Sequence, residues 1–253
     1  MPPSTTSARV ARLLPAMVSL ALLATACGAD APTRNRADGP TVSTPRSTCH
    51  EDGDREVVVP GPEGATTFAV TVGAGRRAVI LVHEADTDHC AWMLFARALG
   101  RRGVQVWSLD SSASPASLSV GSSNPSRDVV SVAAYVRQHG ASEVVVAGAS
   151  MGGTGALAAA HDAGAVKAAA LSSPSDYNGA DAVAGVKAFG APVLVLVGTN
   201  DSGFVPSAAA FEATDPTHVT KLDVVTDAHG TDLLGHDVGG KHVFDVLADF
   251  LTS

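Results

Sequence analysis

The chain has 253 residues, of which 17 are Lys or Arg and 25 are Asp or Glu; 45% fall in the hydrophobic set and 17% are charged. That is ample apolar sequence for one buried core and marginal for two. A formal net charge of −8 argues against binding to a phosphate backbone, so nucleic acid is set aside as a partner.

Residues 1–26 open with Arg9 and Arg12, free of acids, and continue as the apolar stretch Leu13–Ala26. This stretch is shorter than the about 20 residues that span a bilayer. It has the form of an export signal, with Ala24-Thr25-Ala26 as the small residues that a signal peptidase reads. Leu-Ala-Thr-Ala-Cys, ending at Cys27, resembles a bacterial lipobox, although Ala24 stands where that motif usually carries Leu and Leu23 lies one place back. The resemblance implies a lipid anchor on Cys27 at the outer side of the cell membrane; soluble secretion after the same cut is the alternative. A chain cut after Ala26 carries 15 basic and 25 acidic residues, a formal −10. Residues 27–48, rich in Thr, Pro, Arg, Asp, Ser and Ala, read as a tether, and residues 49–253 as the folded domain. Cys49 and Cys90 are then left to form one disulfide in an oxidising compartment. Two unrelated thiols are the alternative.

Past Cys49, strand-like and helix-like stretches alternate. Strands are expected at Thr66–Val72, Ala78–His83, Val104–Leu109, Glu143–Ala147, Val166–Leu171, Pro192–Val197 and Lys221–Val225. Helices are expected at Cys90–Arg101, Asp128–His139, Met151–Ala163, Asp181–Ala188, Ser207–Ala213 and Lys241–Leu251. Runs such as Ala78–His83 (AVILVH), which is apolar until it ends in a polar residue, and Pro192–Val197 (PVLVLV) read as parallel strands covered on both faces. The pattern predicts a doubly wound, mostly parallel α/β sheet with helices on both faces. In such sheets ligands gather at the carboxyl ends of the strands, so chemistry is sought in the residues that follow each strand.

Gly148-Ala149-Ser150-Met151-Gly152 is a G-x-S-x-G sequence between the apolar run Val144-Val145-Val146 and an Ala-rich helix. A nucleophile elbow needs that strand-to-helix turn, with small residues on either side of the serine to admit the close approach. The helix start also directs N–H groups and positive potential at Ser150. On these residues the chain resembles the α/β-hydrolase superfamily over most of 66–251. The nearest outline is the compact esterase-like and dienelactone-hydrolase-like members without a large cap; dienelactone hydrolases proper carry cysteine at the elbow, where this chain has serine. The resemblance implies Ser150 as nucleophile, with its acid and then its base following in chain order.

Of nine histidines, His229 follows the last expected strand in Ala228-His229-Gly230, where the superfamily delivers its base. His236 and His242 are nearby rivals, while His139, His161 and His218 read as surface or capping residues. Asp201, after Val193–Val197, takes the acid's position, with Asp176 as the alternative. For the oxyanion hole the backbone N–H of Met151 is one donor by position; the other is expected from His83-Glu84-Ala85, with Ala85 first and Glu84 second.

The loop His83–Cys90 is also dense in metal-ligating side chains, but no metal-ligand spacing is present, and the expectation is no metal and no cofactor. About 20 residues separate the Val166–Leu171 strand from the next, and Ser111–Ser126 is small and polar, so a large lid is not expected. Trp92, Phe204 and Leu233 are candidates either for lining the site or for the core. The expected activity is cleavage of a small-molecule carboxylic ester or thioester through an acyl-enzyme. The rivals are a surface-tethered binding protein that kept the scaffold without turnover, and an envelope protein binding metal through the His83–Cys90 loop. Oligomeric state is not legible.

Overall fold

Runs of five to eight residues, most of them apolar, become the strands of one eight-stranded sheet: β1 Arg55–Pro60, β2 Thr66–Gly73, β3 Arg77–Val82, β4 Gln105–Asp110, β5 Glu143–Ala149, β6 Lys167–Leu171, β7 Val193–Gly198 and β8 Val219–Val224. The computed structural model describes residues 49–115 and 117–253. The expected export signal, Cys27 and the whole of the expected tether, residues 1–48, lie outside them. The strand order is β1-β2-β4-β3-β5-β6-β7-β8. β2 runs antiparallel to β1 and β4, and every other neighbouring pair is parallel.

Alternation along each strand divides the core between the two faces. Ala78, Ile80 and Val82 of β3 face one side with Val144, Val146, Ala168, Ala170, Val193 and Val195. Four helices cover it: α2 Pro125–Gln138, α3 Met151–Ala159, α4 Ala182–Phe189 and α5 Val205–Thr214. Val79 and Leu81 point the other way, with Val145, Ala147, Ala169, Leu171, Leu194 and Leu196, under α1 Met93–Gly100 and α6 Val243–Thr252. Each fully buried Val, Leu or Ile contributes roughly 1.5–3 kcal/mol, so the parallel centre of the sheet carries most of the apolar stabilisation. Among the described residues no helix is long and apolar enough to cross a membrane.

Several boundaries differ from expectation for local reasons. β1 was not expected: it is an edge strand in which only Val59 is fully buried, so it shows no clear two-residue period. α2 starts at Pro125 rather than Asp128, because Asn124 caps it by accepting from the Ser126 N–H at 3.0 Å and Pro125 suits the first helical position. Lys241 and His242 pair with Asp237 and Val238 in a two-residue ribbon, so the last helix begins at Val243.

The expected Cys49–Cys90 disulfide is present. It fastens the start of the domain to the loop after β3, and Arg97 of α1 reinforces the junction by pairing with Glu51 and Asp54. The bridge closes a loop with a sequence separation of 41. The doubly substituted Cys49→Ser/Cys90→Ser chain should therefore lose about 2–4 kcal/mol of unfolding free energy, read as a lower midpoint in urea unfolding.

Candidate active site

β5 ends at Ala149 and α3 begins at Met151, leaving Ser150 alone in the turn at φ 47°, ψ −120°. A positive φ in a residue with a side chain costs roughly 1–3 kcal/mol and persists only where the surroundings enforce it. Here the Ser150 N–H donates to the Leu171 carbonyl at 2.8 Å, and the Thr154 N–H returns to the Ser150 carbonyl at 3.1 Å. Thr154 Oγ1 donates to the Pro174 carbonyl at 2.7 Å. A Cβ at position 152 would fall 2.3 Å from the Val82 carbonyl oxygen and 2.4 Å from that of His83. Glycine there lets the helix start press against the end of β3, which brings Met151 beside the loop that carries Ala85.

His229 precedes the 3-10 turn Gly230–Gly235 that follows β8. Its Nδ1 donates to Asp201 Oδ2 at 2.7 Å, so the carboxylate sets Nδ1 as the protonated nitrogen and leaves Nε2 as an acceptor. Asp201 is itself held in a turn: its N–H donates to the Gly198 carbonyl at 3.1 Å, while its own carbonyl accepts from Phe204 at 3.0 Å. The Phe204 ring lies 4.3 Å from the His229 ring, centroid to centroid. Asp176 is exposed on a two-residue ribbon with Asp181, so the acid that reaches His229 is Asp201. The other histidines go elsewhere: His236 sits against Thr226, His139 stacks on Tyr135, His218 pairs with Asp215, and His161 and His242 are exposed. Ser150, Asp201 and His229 all lie at carboxyl ends of strands. Among the described residues the Ser150 hydroxyl makes no hydrogen bond, so its contact with the imidazole is open; catalytic hydrogen bonds often tighten only when substrate binds.

Trp92 and Leu233 are fully buried core residues. Trp92 Nε1 donates to the Val82 carbonyl at 3.0 Å, which steadies the strand end from which the Ala85 loop departs. Of the three lining candidates, Phe204 packs its ring on His229. Among the described residues no hydrogen bond uses the Ala85 N–H. Glu84 shows a role that sequence reasoning missed: its carboxylate accepts from the Thr231 N–H at 2.9 Å and the Thr231 hydroxyl at 2.7 Å. Nothing in local spacing links residues so far apart in the chain.

Several other polar groups of the His83–Cys90 loop are likewise engaged, while among the described residues His89 Nδ1 is buried without a hydrogen bond. His83 is fully buried; its Nδ1 donates to the Glu84 carbonyl at 2.7 Å and its Nε2 accepts from the Ser111 N–H at 2.9 Å. Asp88 accepts from the Cys90 N–H. Cys49, His89 and Cys90 bring ligand-type atoms within 4.8 Å of one another, but two sulfurs joined in a disulfide offer no thiolate to a metal. Behind this loop Asp128 accepts from Thr67 Oγ1, from Ser111 Oγ, and from the N–H and Oγ of Ser112. Burial pushes the Asp128 carboxyl above its ordinary value, and these hydrogen bonds pull against it. A cavity of about 520 Å³ lies along Pro60–Pro62 and α2, and none of Ser150, Asp201 or His229 lines it.

No protein-family model and no curated relative matches the sequence. Solved structures do match in shape. An esterase from Pyrococcus furiosus superposes with a TM-score of 0.66 at 14% identity, over 78% of this chain and 90% of that one. The esterase domain of a Rhodothermus marinus protein gives 0.59 at 15%, over 79% and 98%. An α/β serine hydrolase without a lid from Xanthomonas campestris gives 0.52 at 18%, over 69% and 84%. Together with the strand order, these likenesses identify the α/β-hydrolase fold.

Two outcomes test this geometry without assuming any activity. Asp201→Asn should abolish or strongly weaken the hydrogen-bonded His229 Nδ1 proton signal in NMR, while Asp176→Asn should leave it unchanged. For Asp128, a folded-state pKa above the unfolded value means that its contribution to stability is greatest at low pH and is lost as pH rises through the folded pKa. The stability of the native chain minus that of Asp128→Asn should therefore become more favourable from pH 7 to below pH 4, measured by urea unfolding at each pH.

Proposed function

We propose that the chain is a serine hydrolase that cleaves a carboxylic ester or thioester through an acyl-enzyme, with Ser150, His229 and Asp201 as its catalytic residues. The observation that carries this reading is the Asp201–His229 hydrogen bond of 2.7 Å at the same sheet edge as a serine held at φ 47° on a strand-to-helix turn. A carboxylate aimed at Nδ1 frees Nε2 to take the hydroxyl proton. The resulting alkoxide attacks the carbonyl carbon, and negative charge moves to the carbonyl oxygen, for which the Met151 and Ala85 N–H groups are the proposed donors. On collapse the carbon–oxygen or carbon–sulfur bond breaks, and the imidazolium returns its proton to the leaving group. Water, deprotonated by the same imidazole, then releases the acid. No metal or cofactor enters these steps.

The structural neighbours support the ester class: the Pyrococcus furiosus and Rhodothermus marinus proteins are esterases, and a thioesterase domain from the curacin biosynthetic pathway gives a TM-score of 0.59 at 12% identity. Between β6 and β7 lie only short ribbon strands and α4, an eight-residue helix, which favours an open site and small or exposed acyl groups. We further propose export, with Cys27 as a lipid anchor; the disulfide supports an oxidising compartment.

The open Ser150–His229 contact favours one rival, a tethered binding protein on the same scaffold. Reaction with a fluorophosphonate probe separates the two: the native chain should label at Ser150 and Ser150→Ala should not. On p-nitrophenyl esters, Ser150→Ala should lose roughly 10⁴-fold or more of kcat with the fold intact by circular dichroism. Unlabelled native protein, or near-native turnover in the variant, would refute the enzyme reading. Turnover should be highest on the short acyl chains of a graded series.

A further inference from the structure

We propose that Glu84 is a positioning residue for this site, tying the loop of the base to the loop of the oxyanion donor so that the two keep one geometry. The inference rests on the serine-hydrolase reading for its catalytic consequence, but the tie itself stands on contacts alone. The Glu84 carboxylate uses both oxygens on one residue, Thr231, at 2.9 Å from its N–H and 2.7 Å from its hydroxyl. Gly230, at φ +56°, passes so close that a Cβ there would lie 2.3 Å from Glu84 Oε2 and 3.6 Å from the Ala149 Cβ. Residue 230 directly follows the proposed base, residue 149 directly precedes the proposed nucleophile, and residue 84 directly precedes the proposed oxyanion donor. One carboxylate thus sits where all three segments meet.

The other end of Glu84 is pinned as well. Its carbonyl accepts from His83 Nδ1 at 2.7 Å and from Thr87 Oγ1 at 3.0 Å, and His83 is gripped in turn by the Ser111 N–H. The carboxylate therefore reaches out from a fixed backbone. This answers a need that Asp201 does not meet. The bond at Nδ1 orients the imidazole but leaves the loop around residues 229–231 free to shift bodily, and a displacement of about 1 Å at a reacting group can cost roughly 10²-fold in rate. Hydrogen bonds to an ionised carboxylate are shorter and stronger than neutral ones, which suits a tie between two loops. In this arrangement Glu84 touches no reacting atom.

Three variants test the tie: Glu84→Ala, Glu84→Gln, and Glu84→Met as a variant of similar bulk should the alanine form fail to fold. Glu84→Ala should lower kcat on p-nitrophenyl acetate by about 10- to 100-fold with KM changed by no more than about threefold. Glu84→Gln, whose amide can accept from the Thr231 N–H and donate to its hydroxyl, should stay within about threefold of the native rate on the same grounds. Independently of turnover, amide hydrogen exchange at Thr231 should accelerate at least about tenfold in the alanine or methionine form and not in the glutamine form. Native kcat in the alanine or methionine form, a glutamine form as impaired as either, or unchanged exchange at Thr231 would each overturn the proposal. If the native chain neither turns over the ester nor takes up the fluorophosphonate, the hydrolase reading fails, and the exchange measurement still decides the tie.

Discussion

At residue 150 a strand and a helix meet with no room between them, and the serine joining them is held at φ 47°. The backbone of α3 comes against the Val82 and His83 carbonyls at Gly152, where no Cβ intrudes. That approach is possible because the face of the sheet under α3 carries small residues: Ala168 and Ala170 are fully buried there, and a Cβ at Gly148 would fall 2.2 Å from the Gly152 carbonyl oxygen. The strain is supported by hydrogen bonds to the neighbouring strand end and to the loop after it, so the turn is enforced rather than chosen. The arrangement of the other strand-end loops follows from this contact.

Once the turn is set, each strand end contributes a loop to the same edge. Asp201 follows β7, His229 follows β8, and the Glu84–Ala85 segment follows β3. These loops carry few apolar anchors, so polar contacts decide their positions: Asp201 on the imidazole, Glu84 on Thr231, and the Thr154 hydroxyl on the Pro174 carbonyl. Phe204 adds an apolar contact against the ring of His229. Directional contacts of this kind fix orientation in a way that apolar burial, which is nearly indifferent to rotation, does not.

The serine-rich stretch after β4 shows the same principle in a structural role. Asp110 accepts the Leu118 N–H, and the hydroxyls of Ser111 and Ser112 satisfy the buried carboxylate of Asp128. An ionised carboxylate so far from water would be costly without those donors. The serines therefore hold the floor beneath the His83 loop, and their abundance reflects the number of backbone and carboxylate groups there that need partners.

The sequence by itself determined the sheet-and-helix alternation, the G-x-S-x-G turn at residues 148–152, and the pairing of Cys49 with Cys90 as the natural expectation once Cys27 is assigned to a lipid anchor. Each rests on local chemistry: apolar runs, a glycine pair around a serine, a count of thiols. The edge strand Arg55–Pro60 escaped notice because one buried valine makes no period. Only the tertiary structure brought Asp201 onto His229 and left Asp176 exposed, placed Trp92 and Leu233 in the core, and joined Glu84 to Thr231. Those outcomes depend on where loops far apart in sequence come to rest when several strand ends converge. A residue's own neighbours along the chain carry no record of that, because the energies that decide it arise between segments separated by scores of residues.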